Sequence, residues 1–511
     1  MTTLVALAML MLATVLVVTI GDRLGLPWPI LLIFLAIGGL AIPNVSALYV
    51  PADLMLPIFL PPLLWALARK MTWGAIKTQL STIASLSIAL VFVTIGVLTG
   101  LTLWLLPVVG VAGAIVLAAA LAPPDPVAVD AIAVSAGIPR RITSTLSTEG
   151  LFNDAASIVT FNLGLNALLA GSELSFANGA KSFVWAVVAA VALGLAVGRA
   201  AAWFSDHVSN VTARNALTWV LPFAVYAFAE HIEASGVIAV VIVAIELTSR
   251  ATLSAEDRLS GAAFWDTIEM LFTGVAFGLI GLSVSAAIDE IGTELWHAAL
   301  VGLVLGVAVI IVRFIWMLIA AKINQRRERS FVAPLDIQEV LVMTWGGMRG
   351  LVTLALALSI PASASGTLHH EASVISLVFL VVTMVIPGLT LPSLMRTLNL
   401  NDTSQPIDDL QKRARKAAAN YIFEKQGRPT ARSRREAREQ LKNRFARYEE
   451  NQERSKEDRK QMMRESKELR LGALKAAQDE LLRARNEPGI EPGAIAEILD
   501  DLDHMILATR N

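Results

Sequence analysis

Long apolar segments restrict this chain to a membrane protein built from helices. A bilayer core of about 30 Å requires about 20 apolar residues per helix, and in lipid each segment must satisfy its own backbone polar groups. Thirteen segments within the first 400 residues meet this requirement. The sequence therefore predicts an all-α membrane protein with about 13 transmembrane helices. The segments are 4–20, 26–42, 53–69, 78–105, 111–134, 143–169, 181–204, 215–230, 236–250, 262–287, 295–321, 336–361 and 372–398.

The charged residues divide the chain into two parts. Residues 401–511 contain 24 Lys and Arg and 21 Asp and Glu, whereas residues 1–400 contain 18 and 22. We therefore expect a transmembrane domain over 1–400 and a charged, helical cytoplasmic tail over 401–511. Within the tail, Leu441, Phe445 and Tyr448 have helical spacing.

A Pro-Gly-rich break in the tail, Asn486–Gly493, is expected to precede a last short amphipathic helix.

Composition excludes several classes of function. The absence of cysteine excludes disulfides, thiol catalysis, Fe–S clusters and Cys-ligated zinc. A net charge of −1 without a basic stripe argues against nucleic-acid binding. No H-E-x-x-H motif is present. We expect a protein that is not an enzyme, needs no cofactor and has lipid as a neighbour.

Basic residues orient the predicted spans. If the N-terminus lies outside, fourteen Lys and Arg fall in inner connections and one, Lys181, falls outside. This asymmetry predicts an outer N-terminus and a cytoplasmic tail in the plasma membrane. The fourteen are Arg23, Arg69, Lys70, Lys77, Arg140, Arg141, Arg199, Arg214, Arg250, Arg258, Lys322, Arg326, Arg327 and Arg329.

Two spans contain sequences that interrupt a helix. Ala122–Val129 has three prolines in four positions, which remove amide donors and clash with preceding carbonyls. Asp125 followed by Pro126 is typical of a restarting helix. Trp345–Gly350 adds three glycines and an arginine to the twelfth span. Interrupted spans in opposite orientations indicate a secondary-transporter site, whereas a proline kink with glycine-mediated packing is the alternative.

Five ionisable residues lie well inside the predicted spans: Asp125, Glu149, Asp154, Arg313 and Arg349. Each costs at least about 2.5–3.5 kcal/mol at bilayer depth, which makes it a candidate site residue. At about 1.5 Å per residue, Asp125 and Asp154 lie roughly 14 and 16 Å from the inner face. Glu149, Arg313 and Arg349 lie roughly 9, 12 and 20 Å from it. We therefore predict a polar centre in which Glu149 and Arg313 form an ion pair.

Four further carboxylates, Glu230, Glu246, Asp266 and Glu269, lie nearer the span ends. For these we expect snorkelling or solvation by loops.

Five ordered motifs resemble the monovalent cation:proton antiporter-1 family, the bacterial relatives of the animal sodium/proton exchangers. The resemblance covers most of residues 1–400. The motifs are Phe59–Leu64, Asp125–Val129, Glu149–Asp154, Phe264–Asp266 with Gly281–Leu282, and Trp345–Gly350.

The resemblance implies an ion site. Asp154 would be the carboxylate that binds the ion or the proton, with Asn153 as its neighbour. Asp125 would lie where the two interrupted helices cross and would compensate the dipoles of the helix halves that meet there. With the backbone carbonyl of Pro124, these residues would be ligands for a transported Na⁺.

The resemblance also implies an architecture of two inverted six-helix repeats with crossed interrupted helices. A mobile core domain would lie beside a dimerisation domain, usually in a homodimer. Glu149 would pair with Arg313, and Arg349 would orient the crossing.

Three positions depart from the family pattern. Gly150 stands where Ser is usual, Pro124 where Thr is common, and Ala66 where some bacterial members have Glu. These departures bear on ion selectivity and affinity more than on the reaction.

The resulting hypothesis is electroneutral exchange of one Na⁺ or Li⁺ for one H⁺ by alternating access around Asp154, which would serve pH homeostasis. K⁺/H⁺ exchange by the same fold is the alternative within transport. A cation channel gated by the tail is the alternative from another class, but no repeated filter sequence is present.

Overall fold

In the residues that it describes, the computed structural model of the chain contains helices joined by turns and loops, and no strand. Those residues are 2–510 without 25–26, 40–51, 171–175, 252–253, 292–294, 327–333, 362–365, 399–404, 427–454, 486 and 488–491. Residues 1–252 and 263–402 form one compact unit, and residues 253–262 and 403–511 form a second.

Seventeen α-helices among the described residues build the first unit, with α12 starting in the second. Together they make an all-α fold. They are α1 (Thr2–Leu24), α2 (Trp28–Gly39), α3 (Ala52–Ala68), α4 (Trp73–Ile83), α5 (Leu90–Leu105), α6 (Gly110–Leu121), α7 (Pro126–Ala136), α8 (Arg140–Ala170), α9 (Phe176–His207), α10 (Val211–His231), α11 (Gly236–Arg250), α12 (Ala255–Ile291), α13 (Leu295–Arg326), α14 (Ile337–Trp345), α15 (Leu351–Leu358), α16 (Gly366–Leu380) and α17 (Ile386–Thr397).

Six helical stretches in the described part of the chain are long and apolar enough to cross a membrane. They are Leu80–Leu105, Pro107–Ile132, Gly179–His207, Ala255–Ile280, Trp296–Arg326 and Glu371–Thr397. Shorter apolar helices cover Leu7–Gly21, Trp28–Gly38 and Met55–Ala68. The chain is therefore a multi-pass membrane protein, and the count of thirteen spans and the inverted repeats stay predictions.

Both segments with helix-breaking residues are non-helical in the structure. Residues 122–125 separate α6 from α7, and residues 346–350 separate α14 from α15. Pro126 is the first residue of α7, where its missing amide hydrogen costs no helical hydrogen bond. Two π-helical turns, Ala84–Ala89 and Val381–Val385, join α4 to α5 and α16 to α17.

The helix that leads into the fourth predicted span begins before the span itself. α4 starts at Trp73, where Thr72 caps it by accepting a hydrogen bond from the amide of Ala75 at 3.4 Å. The apolar stretch long enough to cross a membrane begins at Leu80, close to the predicted residue 78. Lys77, expected in a connection, lies on α4 as an exposed residue.

The second unit has an apolar core of its own. Its helices are α18 (Gln405–Gln426), α19 (Ser455–Ala484) and α20 (Pro492–Arg510), together with the first residues of α12. Small and branched apolar residues of α18, α19 and α20 bury one another, among them Leu410, Leu481 and Ile498. The tail helices therefore pack together, and the predicted stripe of Leu441, Phe445 and Tyr448 lies outside the described residues.

Charged pairs reinforce this core. Arg413 donates to both carboxylate oxygens of Glu487 at 2.7 Å, and these hydrogen bonds lower the pKa of Glu487. Asp503, almost completely buried, accepts two hydrogen bonds from Arg258 and one from Gln478, each at 2.6 Å. Arg258 lies in the first turn of α12, so this pair ties the start of that helix to the tail helices.

Candidate ion site at the crossing of two interrupted helices

Asp125 caps two half-helices with one carboxylate. Its Oδ1 accepts hydrogen bonds from the amides of Val127 at 2.9 Å and Ala128 at 3.3 Å, at the start of α7. Its Oδ2 accepts from the amide of Leu351 at 3.2 Å, at the start of α15. Its own amide donates to the carbonyl of Met348 at 2.7 Å. The positive ends of both half-helices therefore converge on one negative group.

Glycine makes this approach possible. A Cβ atom on Gly350 would lie 1.7 Å from Oδ2 of Asp125, so no larger residue fits while the crossing keeps its shape. The glycines of the Trp345–Gly350 segment are thus required for close contact as well as for interrupting the helix.

Asn153 and Asp154 lie next to the interruption, on α8. Nδ2 of the Asn153 side chain donates to the carbonyl of Pro124 at 2.7 Å. Both side chains are buried, with Asp154 only 2% exposed. Within the described part of the chain, Oδ1 of Asn153 and Oδ1 of Asp154 have no hydrogen-bond partner. Two buried oxygen acceptors are therefore available to a cation or a proton.

A pocket brings Asp125 and Asp154 together. It is lined by α3, α7, α8, α12 and α15, and apolar side chains dominate its wall. The pocket residues are Leu60, Leu63, Leu64, Asp125, Pro126, Val127, Asp154, Thr273, Ala276, Phe277, Leu351 and Val352. An apolar wall with few polar groups is the usual form of a small-ligand site.

Glu149 and Arg313 form a buried bidentate ion pair. The two guanidinium nitrogens donate to the two carboxylate oxygens at 2.5 and 2.8 Å. Nε of Arg313 donates to the carbonyl of Met343 on α14 at 2.9 Å. Arg313 therefore joins α13 to α8 and to the half-helix that leads into the second interruption, a geometry suited to strong pairing.

Arg349 is buried in the segment between α14 and α15. Its charge interacts with Arg313, Glu149 and Asp154. Among the described residues, its Nε and Nη1 have no hydrogen-bond partner. A cation in this position offsets the negative charges of the crossing, and its predicted role in orienting the crossing stays a prediction.

The expectation that Glu246 would be solvated is wrong. This carboxylate is 1% exposed on α11 and accepts from the indole of Trp73 at 2.6 Å. Arg199 lies 3.2 Å away, and Arg250 pairs with it as well. The physical reason is that a span-end carboxylate surrounded by three donors can be buried without remaining an uncompensated charge.

Sequence reasoning missed two threonines near the crossing. Thr273 of α12 lines the pocket, and Thr353 lies two residues after Leu351 on α15. The hydroxyl oxygens of both are buried and have no hydrogen-bond partner among the described residues. Their positions inside apolar spans were the only sequence signal for a role in the site. This signal is weak, because the hydroxyl of a lone threonine often donates a hydrogen bond to a carbonyl of its own helix.

Gly150, one of the three departures from the family pattern, packs directly against Pro126. A Cβ atom at this position would lie 2.2 Å from Cβ of Pro126. We expect Gly150→Ser, which restores the family's hydroxyl, to displace the start of α7, destabilise the protein by about 1–3 kcal/mol and reduce transport. Thermal unfolding in detergent and transport in vesicles measure the two effects.

Gly179→Ser is the matched control, because a Cβ there would meet only a Leu163 methyl at 3.5 Å. A Gly150→Ser variant that is as stable as this control and transports faster would contradict the steric explanation.

Comparisons with known proteins agree with this architecture. The profile of the family described as "Sodium/hydrogen exchanger, transmembrane" matches residues 9–397. The Na⁺/H⁺ antiporter ApNhaP of Aphanothece halophytica is 30% identical over 383 residues, which cover 73% of this chain and 70% of the relative. The low-affinity Na⁺/H⁺ antiporter NhaS1 of Synechocystis is 27% identical over 410 residues, covering 78% and 75%.

The fold is similar to that of a solved structure. The sodium proton antiporter MjNhaP1 from Methanocaldococcus jannaschii superposes with a TM-score of 0.55 at 19% identity, covering 78% of this chain and 99% of the solved one. The predicted family is therefore confirmed, and its members are transporters rather than enzymes. This chain belongs to the sodium/hydrogen exchanger family.

Proposed function

We propose that this protein exchanges Na⁺ or Li⁺ for H⁺, one for one, by alternating access around Asp154. One observation carries the proposal: Oδ1 of Asp154 and Oδ1 of Asn153 are buried and have no hydrogen-bond partner in the described part of the chain. Both lie beside a helix crossing whose positive helix ends Asp125 already neutralises. Asp125 is engaged in capping, which leaves Asp154 as the carboxylate that can change ligand. The names of ApNhaP, NhaS1 and MjNhaP1 support Na⁺ and H⁺ as the substrates.

Competition at Asp154 follows from desolvation. A carboxylate that is only 2% exposed has lost most of its hydration. Its free charged form is therefore unfavourable, and binding of either a proton or a cation relieves this cost. Na⁺ and Li⁺ are hard cations that take oxygen ligands. The Asp154 and Asn153 side-chain oxygens and the Pro124 carbonyl, which has a second lone pair, are the oxygens we assign to the cation.

Asn153 determines the proposed stoichiometry. An amide cannot bind a second exchangeable proton, so one carboxylate carries one ligand per crossing. Exchange of one monovalent cation for one proton moves no net charge. A one-unit pH gradient would then support about a tenfold opposing sodium gradient, each worth about 1.4 kcal/mol.

Other parts of the proposal rest on the sequence. Fourteen basic residues in predicted inner connections, against one in outer connections, support an outer N-terminus and a cytoplasmic tail in the plasma membrane. A homodimer with a mobile core and a function in pH homeostasis are proposed from the family resemblance. K⁺/H⁺ exchange remains the second candidate, because Gly150 and Pro124 lack the usual side-chain hydroxyls.

The test is ion-driven proton movement in reconstituted vesicles that contain the purified protein. After an inside-acid pH gradient is set, Na⁺, Li⁺ and K⁺ are added in turn, and a pH-sensitive dye reports collapse of the gradient. We expect collapse with Na⁺ and Li⁺ but little with K⁺. In the Na⁺ experiment, clamping the membrane potential at zero with valinomycin and equal K⁺ on both sides should leave the rate unchanged.

Collapse by K⁺ alone would favour the second candidate. A rate that rises or falls with membrane potential would contradict one-for-one exchange. Collapse in the absence of any added cation would indicate a proton leak and contradict antiport.

A further inference from the structure

Lys70 bridges two carboxylates from different helices. Its Nζ lies 3.3 Å from Oδ2 of Asp130 on α7 and 3.2 Å from Oε2 of Glu269 on α12. Lys70 itself follows the end of α3. One ammonium group therefore ties together three elements that line the pocket.

The sequence positions place this triad directly beyond the pocket. Asp130 follows the pocket residue Pro126 by four positions, and Glu269 precedes the pocket residue Thr273 by four. A spacing of four residues keeps side chains on one helix face, about 6 Å apart along the axis. Lys70 follows Leu63, also in the pocket wall, by seven positions and lies just after the end of α3.

Exposure shows that the triad lies at a surface. The side chains of Lys70, Asp130 and Glu269 are 44%, 23% and 17% exposed, whereas Asp154 is buried. The pocket that contains Asp154 is lined by α3, α7 and α12, and the Lys70 pairs lie at the ends of the pocket-lining parts of these helices. Partly exposed ion pairs break at small cost, because the separated ions regain hydration.

We propose that Lys70 controls access to the pocket: its pairs with Asp130 and Glu269 close this end and must part before a cation passes. The ammonium occupies the position between two carboxylates that an incoming cation would otherwise reach first. Lys70 is thus a positioning residue that opens and closes the path without touching Asp154. The proposal rests on the proposed transport function, since it assigns the pocket to the cation.

Cysteine labelling tests access without requiring transport. The chain has no cysteine of its own, so Thr273→Cys introduces a single thiol in the pocket wall. A membrane-impermeant cationic methanethiosulfonate is applied separately to everted and right-side-out vesicles. With Lys70→Gln added, we expect labelling about fivefold faster from one face only, the factor that corresponds to an ion pair worth about 1 kcal/mol.

Matched variants separate this role from general loosening. Lys77→Gln removes an exposed lysine of α4 and should leave the labelling rate unchanged, and Lys70→Arg should restore the slow rate. If Thr273→Cys is labelled at the same rate with and without Lys70→Gln, or is not detectably labelled in either protein, the proposal is overturned. Acceleration from both faces, or the same acceleration in Lys77→Gln, would overturn it as well.

A cross-link provides the second measurement. In Asp130→Cys/Glu269→Cys, a short bifunctional methanethiosulfonate should hold the end closed, reduce Na⁺-driven proton movement to background and release it on reduction. Unchanged transport by the fully cross-linked protein would overturn the proposal. Failure of the proposed function looks different, since transport would then be absent before cross-linking while the labelling difference at Thr273→Cys would persist.

Discussion

Asp154→Asn is expected to reduce Na⁺-driven proton movement to the level of protein-free vesicles while leaving the fold intact. The substitution keeps the size of the side chain and removes the only function we assign to it, which is to exchange a proton for a cation. Because Asp154 is 2% exposed and a buried charge is costly, an amide at this position should maintain or raise thermal stability. Transport in reconstituted vesicles and thermal unfolding in detergent measure the two results.

Asp501→Asn is the matched control for this substitution. Asp501 is an exposed carboxylate on α20, far along the chain from the crossing, so its loss should change neither transport nor stability. Robust exchange by Asp154→Asn, with a rate near that of the control, would remove the basis of the transport scheme. A large loss of stability in Asp154→Asn would instead show that the charged carboxylate supports the fold.

Interruptions of helices could be predicted because their causes are local. Three prolines around Asp125 and three glycines around Arg349 break helical hydrogen bonding wherever those segments lie. The structure interrupts its helices at both segments, 122–125 and 346–350. That Glu149 and Arg313 lie at similar depths in the membrane could also be predicted, because residues on straight helices are evenly spaced. In the structure, the two hydrogen bonds between their charged groups are 2.5 and 2.8 Å long.

Partners that depend on helix rotation could not be predicted. Glu246 is held by Trp73, which is 173 residues away in sequence, and Lys70 reaches Glu269 across 199 residues. Depth estimates specify how far a residue lies along a helix but not which neighbour its side chain faces. For the same reason the carboxylate of Asp125 could be predicted to lie near the crossing, whereas its bond to the amide of Leu351 could not.

Removing Arg313 is expected to destabilise the protein severely. Arg313→Met keeps the apolar stem of the side chain but leaves the buried carboxylate of Glu149 without its bidentate partner. Breaking a buried pair from one side costs about 3–5 kcal/mol, so we expect a clear fall in the thermal unfolding temperature in detergent, together with loss of transport. Arg199→Met is the control: Arg199 is 53% exposed, and its partner Glu246 keeps Arg250 and Trp73.

The double variant Glu149→Leu/Arg313→Met separates the charge from the packing. If the penalty of the single variant comes from an uncompensated charge, removing the second charge should recover much of the lost stability, because two apolar side chains of similar volume replace the pair. If stability recovers but transport does not, the pair has a second role besides stabilising the fold. That role would be to position α8 and α14 around the crossing for transport. A double variant no more stable than Arg313→Met would contradict this explanation and place the cost in the lost bond between Arg313 and the Met343 carbonyl.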